Sequence, residues 1–561
     1  MRSIHAVLLV ALGAVVACTQ VAAPEANIAK NSSALDAVGT RDPDGEFKNA
    51  DGKAVTVSLA GSVDTTNAFF QDLGTNGRAC VTCHALNDGL GLSVENVRKR
   101  FFDSCRSGEH GELHNGTGGA SNASDESRNH SQSDKAKDEP SCGEDPLFRL
   151  VDGANSPNAD VSTDAARVSA YSLLLTRAVI RIPKAPPATA DFVITKVDDP
   201  YGVSTASNPS FYRRPLATTN LRFSGAFEPA RTNAMPIMWD GRETETGCGV
   251  STVGVVTGAA CGAGLAACMT GQTCVAGFCR ILPQCNNPPI ARVVSDILKA
   301  QANHAHLGHA EAAAPLTDEQ QNSIVDFERG LFTAQIKDKV AGALDIDGAN
   351  GGPQYLSTVP FFNGENRAPP IGPGFVDFSF TTYNAWVNAQ PASDSEEDIE
   401  QAARRASIAR GQDLFNHRRG INPKYGVKVV NKRDTTCVFC HSAFEAGSDS
   451  AGTWGNGVSD AIGDWTSRPM ADLPVYTVRS KTTGKVKQTT DLGRAAVTGK
   501  FNDLNKFKPP VLRGLAARAP YFHNGSAATL RDVVTAYEDA GFQFGFTEQD
   551  KDDLAAFLQT L

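Results

Sequence analysis

The chain has 561 residues, which at roughly 100–200 residues per domain allows about three to five domain-sized units. With 41% apolar and 20% charged residues it has ample material for packed cores, which excludes a wholly disordered chain, a collagen-like repeat and a small disulfide knot. The formal net charge of −9 argues against nucleic acid as a partner, because phosphate binding calls for a basic surface.

Arg2 supplies a short positive region, and Ile4 to Val16 form an apolar run of signal-peptide length, too short to span a bilayer. The run ends in Val15-Val16-Ala17-Cys18, which resembles a bacterial lipoprotein signal; the resemblance implies a signal peptide over residues 1–18 and lipid on Cys18. An ordinary secretory signal cleaved near Ala22 or Ala23 is the alternative. Both predict export to an oxidising compartment. By the lipoprotein resemblance, Thr19 after the cysteine implies the outer membrane, so a periplasmic, lipid-anchored protein is expected. Residues 19–45 are rich in Ala, Asn, Asp and Pro and read as a flexible tether. No later run of 18 apolar residues occurs, so a lipid is the expected contact with membrane.

Two C-x-x-C-H motifs follow, Cys80-Val81-Thr82-Cys83-His84 and Cys437-Val438-Phe439-Cys440-His441. Two thiols at this spacing can form thioethers to the two vinyl groups of a haem, and the adjacent histidine is then placed to ligate the iron. A zinc ribbon would set its two C-x-x-C pairs about 15–20 residues apart, whereas these lie hundreds of residues apart. Two copies in an exported chain predict a di-haem c-type cytochrome with two covalently bound haem c groups.

Of the thirteen cysteines, eight remain after the haem and lipid positions are set aside. Cys105 and Cys142 flank a polar insert, residues 106–141, in which His110, His114 and His130 read as solvated side chains. Cys248, Cys261, Cys268, Cys274, Cys279 and Cys285 crowd a Gly/Ala/Thr-rich insert, residues 247–286. Three disulfides would staple a module too small to build its own core; a metal cluster is the rival reading.

The remaining elements are mostly helical. Phe192 to Val197 is one of few strand-like pieces, and Pro- and Gly-rich stretches at 183–190 and 367–374 mark loops. Thr317-Asp318-Glu319-Gln320 is a capping box, followed by Ile324, Val325, Phe327, Leu331 and Phe332 on one helix face. Glu400 to His417 leads toward the second haem motif. Thr529 to Asp532 caps a helix whose apolar face carries Leu530, Val533, Val534 and Tyr537, and Thr547 opens a last helix with Leu554, Phe557, Leu558 and Leu561. The expected fold class is mainly α: two cytochrome c-like haem domains with long loops, plus the small cysteine-rich insert. The N-terminal haem domain would span 46–335, an inter-domain segment 336–390 and the C-terminal haem domain 391–561.

The stretch Pro509-Pro510-Val511-Leu512-Arg513-Gly514 to Arg518-Ala519-Pro520-Tyr521-Phe522-His523-Asn524-Gly525 resembles the C-terminal signature of bacterial di-haem cytochrome c peroxidases and their relative MauG. Upstream, Met238-Trp239-Asp240-Gly241-Arg242 resembles that family's WDGR motif, and both haem motifs stand in the family's order. Fourteen residues after His523 the peroxidases carry a methionine that ligates the second haem; here the position is Tyr537, as in MauG. The resemblance therefore implies Tyr537 on the second iron. A hard, donating oxygen favours ferric and higher states where a thioether favours ferrous iron. A core tyrosine is the reading from periodicity alone. The histidine that can close the first haem sixteen residues after its motif is replaced by Arg100, which implies an open first haem. Trp239 matches the tryptophan lying between the haems, where an oxidisable indole can relay a hole; buried packing is its plain alternative.

One departure concerns the distal acid or base. The family's glutamate, twenty residues after the tryptophan, corresponds to Ala259. A histidine from Gln301-Ala302-Asn303-His304-Ala305-His306-Leu307-Gly308-His309 suits proton transfer near neutral pH. His309 is preferred over His304, with Glu243 and Glu245 as further candidates and a solvated helix end as the plain alternative. The resemblance also implies calcium between the haem domains, with carbonyls of Arg518 and Pro520 as ligands, although the expected asparagine is absent from Arg213-Arg214-Pro215.

The leading expectation is an exported di-haem peroxidase, drawing electrons from a small cytochrome, a copper protein or a protein substrate. A di-haem oxygenase of the rubber-oxygenase type and a non-catalytic electron-transfer cytochrome are the alternatives.

Overall fold

The computed structural model describes residues 45–106, 145–224, 226–227, 234–235, 237–242, 273–275, 278–280, 290–359, 378–421, 436–449, 453–455 and 472–561. The signal peptide and Cys18, nearly all of the tether and the polar insert, most of the cysteine-rich insert, the 367–374 loop, Glu243, Glu245 and Ala259 lie outside the described residues. Of the cysteine-rich insert, Thr273–Val275 and Phe278–Arg280 pair as antiparallel strands with Cys274 opposite Cys279.

Helices begin where the sequence supplies side-chain acceptors for the first unpaired N–H groups. Thr317 accepts from Gln320 N–H while the Gln320 side chain accepts from Thr317 N–H, opening Asp318–Arg329. Thr529 with Asp532 opens Leu530–Asp539, and Thr547 with Asp550 opens Glu548–Gln559. The helix expected from Glu400 starts earlier, at Glu396, because Ser395 caps it. Glu548–Gln559 packs on both Glu396–His417 and Leu530–Asp539 around a core of Phe380, Tyr383, Trp386, Phe415 and Phe557.

The mainly α expectation is met in part, since it undercounts the strands. Among the described residues six small antiparallel sheets form. Leu331 and Phe332, expected on a helix face, lie instead in the strand Leu331–Asp338. The helix stops at Gly330, and the strand pairs with Gly52–Ser58, placing Phe332 opposite Val57 and Ala334 opposite Val55. This strand crosses the boundary expected between 335 and 336. The hairpin of Val475–Ser480 and Val486–Thr489 adds to Phe192–Asp198, with Val478 opposite Ile194. A segment that follows the second haem motif is thus joined to the first half around Phe211, Tyr476 and Val478.

Candidate haem pockets

Each C-x-x-C-H motif folds as one short helical turn, Cys80–Thr82 or Cys437–Cys440. The histidine N–H closes the turn onto the first cysteine carbonyl, at 3.1 Å for His84 and 2.9 Å for His441. Six residues on, a carbonyl accepts from the imidazole: Leu90 O lies 3.2 Å from His84 Nδ1 and Gly447 O 2.6 Å from His441 Nδ1. A carbonyl only accepts, so Nδ1 donates to it; at His441 this leaves the Nε2 lone pair to offer, as a metal ligand requires, while the Leu216 carbonyl also approaches the His84 ring. Both acceptor residues have left-handed backbones, φ 55° at Leu90 and 67° at Gly447. A Cβ at Gly447 would also meet Leu512 Cδ1 at 2.8 Å. Phe69 packs on the His84 ring at 6.2 Å between centroids and Phe415 on His441 at 6.0 Å. Burial pushes His84 down to about 4 and depresses His441 as well, so both rings are neutral at pH 7. Burial raises Cys80 and Cys437 to about 12 and raises Cys83, and none of the four motif cysteines is in a disulfide.

The two motifs open onto two cavities. That at Cys80, Cys83 and His84 has a volume of about 210 Å³, and that at Cys437, Cys440 and His441 about 220 Å³. Arg214, Pro215, Leu216 and Trp239 line both, so they form the shared wall. Trp239 donates its indole N–H to Arg214 O at 2.8 Å and stands edge-on to His523, 6.2 Å between centroids. Behind it, Asp240 is fully buried and pairs with Arg213 at 2.5 Å and Arg242 at 3.1 Å; Arg213 also holds Asp491 at 2.6 Å. Burial opposes the charge on Asp240, but the guanidinium groups prevail and hold its carboxyl well below the carboxylate range.

The cavities fit haem. Their walls are mainly apolar, and each is lined by a buried histidine and a pair of thiols. Buried polar atoms on the walls lack a protein partner: Arg214 Nη1 on both, Thr218 Oγ1 and Glu328 Oε2 on the first, Thr436 Oγ1 on the second. An uncompensated guanidinium in such a wall is costly unless an anion meets it, and haem carries carboxylates.

Residues 506–539 match the family described as RoxA-like, cytochrome c-like. Over 78 residues the chain is 42% identical to the cytochrome-c peroxidase IdrP2 of Denitromonas iodatirespirans, covering 13% of this chain and 21% of that protein. Over 138 residues it is 35% identical to cytochrome c551 peroxidase of Pseudomonas aeruginosa, covering 25% and 33%. Over these stretches the chain is similar to di-haem cytochrome c peroxidases. Its matches span about a fifth to a third of the length of these relatives. Among solved structures, a MauG-like protein associated with microbial copper homeostasis aligns at 18% identity and a TM-score of 0.21, over 48% of this chain and 61% of that one.

The faces of the two cavities beyond the shared wall differ in kind. Gln301, His304, His306 and His309, all on the helix Ile290–His309, line the first cavity together with Arg78, Arg242 and Glu328. Burial pushes Glu328 up to about 8, so its carboxyl is largely protonated at pH 7. His309 Nδ1 lies 2.5 Å from Asp152 Oδ2. Arg100 is turned to Asp145 and Thr82 O and does not line this cavity. The second cavity is covered by Leu530, Val533, Val534 and Tyr537, the helix face read from the sequence, and by Phe542, Phe544 and Phe546. Tyr537 packs edge-on against Phe522 and Phe542 at 6.0 and 5.7 Å.

Every described residue singled out from the sequence as a haem ligand, attachment point or relay thus lines a cavity, and His309 does too. Sequence reasoning missed Arg78, Asp152 and Glu328. Arg78 and Asp152 meet His309 from 231 and 157 residues away, a separation that leaves no local pattern. Glu328 sits where a helix places a residue one turn after Ile324, so an acidic residue on that apolar face was the available signal.

Proposed function

We propose that the protein is an exported di-haem c-type oxidoreductase that reduces hydrogen peroxide at the first haem. The observation that carries this reading is the contrast between two cavities sharing one wall, the first faced by ionisable side chains and the second by aromatic ones. Haem would be held by Cys80, Cys83 and His84 in the first and by Cys437, Cys440 and His441 in the second. Once bound, its iron would supply the redox chemistry. His309 accepts the proton that peroxide gives up on arrival and returns it to the departing oxygen. Trp239, in the shared wall, would relay an oxidising equivalent from one cavity to the other. Tyr537, which lines the second cavity, would supply an oxygen donor that favours oxidised states there. The names of the relatives, cytochrome c peroxidases, support the peroxide assignment. Electrons come from an external donor, a small cytochrome, a copper protein or a protein side chain. We place the protein in the periplasm, lipid-anchored through Cys18; no helix among the described residues is long and apolar enough to cross a membrane.

Calcium does not fit where the resemblance implies it. Arg213-Arg214 stands in place of the asparagine, and Arg214 and Arg518 are buried within reach of each other's charge, which with burial lowers Arg214 to about 9. A divalent cation there would add like charge, and no step is assigned to one.

Stopped-flow mixing of the ferric holoprotein with peroxide, and of the reduced protein with dioxygen, tests the proposal. A rapid spectral change with peroxide that is lost in His309→Gln is expected. A response to dioxygen alone points to an oxygenase, and a response to neither points to an electron carrier.

A further inference from the structure

We propose that Asp152 and Arg78 are positioning residues that fix the ring of His309 so that Nε2 is the proton acceptor facing the first cavity. This rests on the reading of the first cavity given above and names the device that would make a histidine work there.

A neutral imidazole has one donor and one acceptor nitrogen, and the partner of one decides the role of the other. Asp152 Oδ2 lies 2.5 Å from Nδ1 of His309. Asp152 itself does not line the cavity while His309 does, so the Nδ1 edge points out of it and the Nε2 edge inward. A carboxylate accepts only, so the hydrogen sits on Nδ1 and the lone pair on Nε2. A protonated carboxyl could donate instead and reverse the assignment, so the charge on Asp152 matters. Arg78 holds that charge: its Nη1 lies 2.5 Å from Asp152 Oδ1, with both side chains no more than 5% exposed. Burial alone would raise Asp152, but hydrogen bonds and charge from His309 and Arg78 hold it below the usual carboxylate range. Arg78 is in turn anchored by the carbonyls of Pro146 and Leu147 at 2.8 and 2.9 Å. The main chain of His309 is clamped by the same group, since its carbonyl accepts from Arg78 Nη1 at 3.2 Å and from Asn76 Nδ2 at 2.9 Å. Ring and backbone are therefore held by one buried charged pair.

The step served is a proton transfer. As peroxide enters, its O–H bond breaks, the electron pair stays on oxygen and an Nε2–H bond forms. The imidazolium so made rests against the Asp152 carboxylate. Hydrogen cyanide gives up its proton in the same way on binding a ferric haem, whereas carbon monoxide binds ferrous haem with no proton to lose. These two ligands separate a positioned base from a merely intact pocket.

The test measures association rates of cyanide and carbon monoxide with the holoprotein by stopped-flow absorbance. In Asp152→Asn the amide oxygen still accepts from Arg78, but the amide N–H donates to Nδ1 and moves the imidazole hydrogen to Nε2. Cyanide association is expected to slow by about 10- to 100-fold, within the span of general-base effects, with carbon monoxide unchanged. Asp152→Glu, which keeps the carboxylate, is expected to recover most of the cyanide rate. Should Asp152→Asn fail to assemble with haem, Arg78→Gln serves instead, with the same selective slowing expected. Equal slowing of both ligands, or of neither, overturns the assignment. His309→Gln distinguishes the failures: if it slows cyanide while Asp152→Asn does not, only the positioning role falls. If neither variant slows it, the His309 base falls as well.

Discussion

His84 and His441 are held alike. Each closes a one-turn helix, each donates Nδ1–H to a carbonyl six residues on from a left-handed residue, and each is packed by a phenylalanine at about 6 Å. The cavities they face are covered differently, by Gln301, His304, His306 and His309 on one side and by Tyr537 and three phenylalanines on the other. The turn and the imidazole hydrogen bond are set within Cys80–Leu90 and Cys437–Gly447, so two copies of the motif build them twice. The opposite faces come from remote helices, Ile290–His309 and Leu530–Asp539, and were able to diverge. With haem bound, it is these opposite faces that would meet an incoming oxidant.

The largest effect expected comes from removing one pocket at a time. Cys80→Ala with Cys83→Ala should leave one covalent haem and no reaction with peroxide, whereas Cys437→Ala with Cys440→Ala should leave one haem that still reacts in a first turnover. Covalent haem content and stopped-flow absorbance check this, and equal loss in both would erase the functional distinction between the pockets.

Arg213 lines the first cavity next to Arg214 of the shared wall, and it braces the buried Asp240 and Asp491. Arg213→Gln leaves the buried carboxylates of Asp240 and Asp491 without their common cation and should cost about 3–5 kcal/mol in denaturant unfolding. A loss below about 1 kcal/mol would show that the network does not hold the wall.

His523 sharpens the comparison on the second side alone. It is buried against Phe507 and Trp239, and burial lowers it to about 4 in spite of Asp491. An unfolded histidine titrates near 6.5. Stability from this group is therefore complete above about pH 6.5 and lost as pH falls toward 4, by at most about 3 kcal/mol. His523→Gln should flatten that part of the stability curve, and an unaltered slope would refute the assignment.

The smallest effect concerns the helix over the second cavity. Thr529→Ala removes the cap that accepts from Asp532 N–H and should cost about 1 kcal/mol by thermal unfolding, leaving cyanide binding at the first haem unaltered.

Much of this was legible in the sequence where the cause is local. The C-x-x-C-H turns, the three capping boxes and the apolar face bearing Tyr537 each depend on residues within a turn or two. Leu331 and Phe332 were misread because apolar residues just past a helix look like its continuation until a partner strand, here Gly52–Ser58, draws them out. Two-residue strands such as Trp454–Gly455 and Lys506–Phe507 have no period to detect. The clamp on His309 was invisible for the same reason: Arg78, Asp152 and His309 meet only after folding.

The distinction between the two pockets is tested most directly by electron paramagnetic resonance of the fully oxidised holoprotein. A high-spin ferric signal from an open first haem, beside a distinct signal from the second that changes in Tyr537→Phe, is the expected result. Two low-spin signals alone, neither of them altered by Tyr537→Phe, would contradict it.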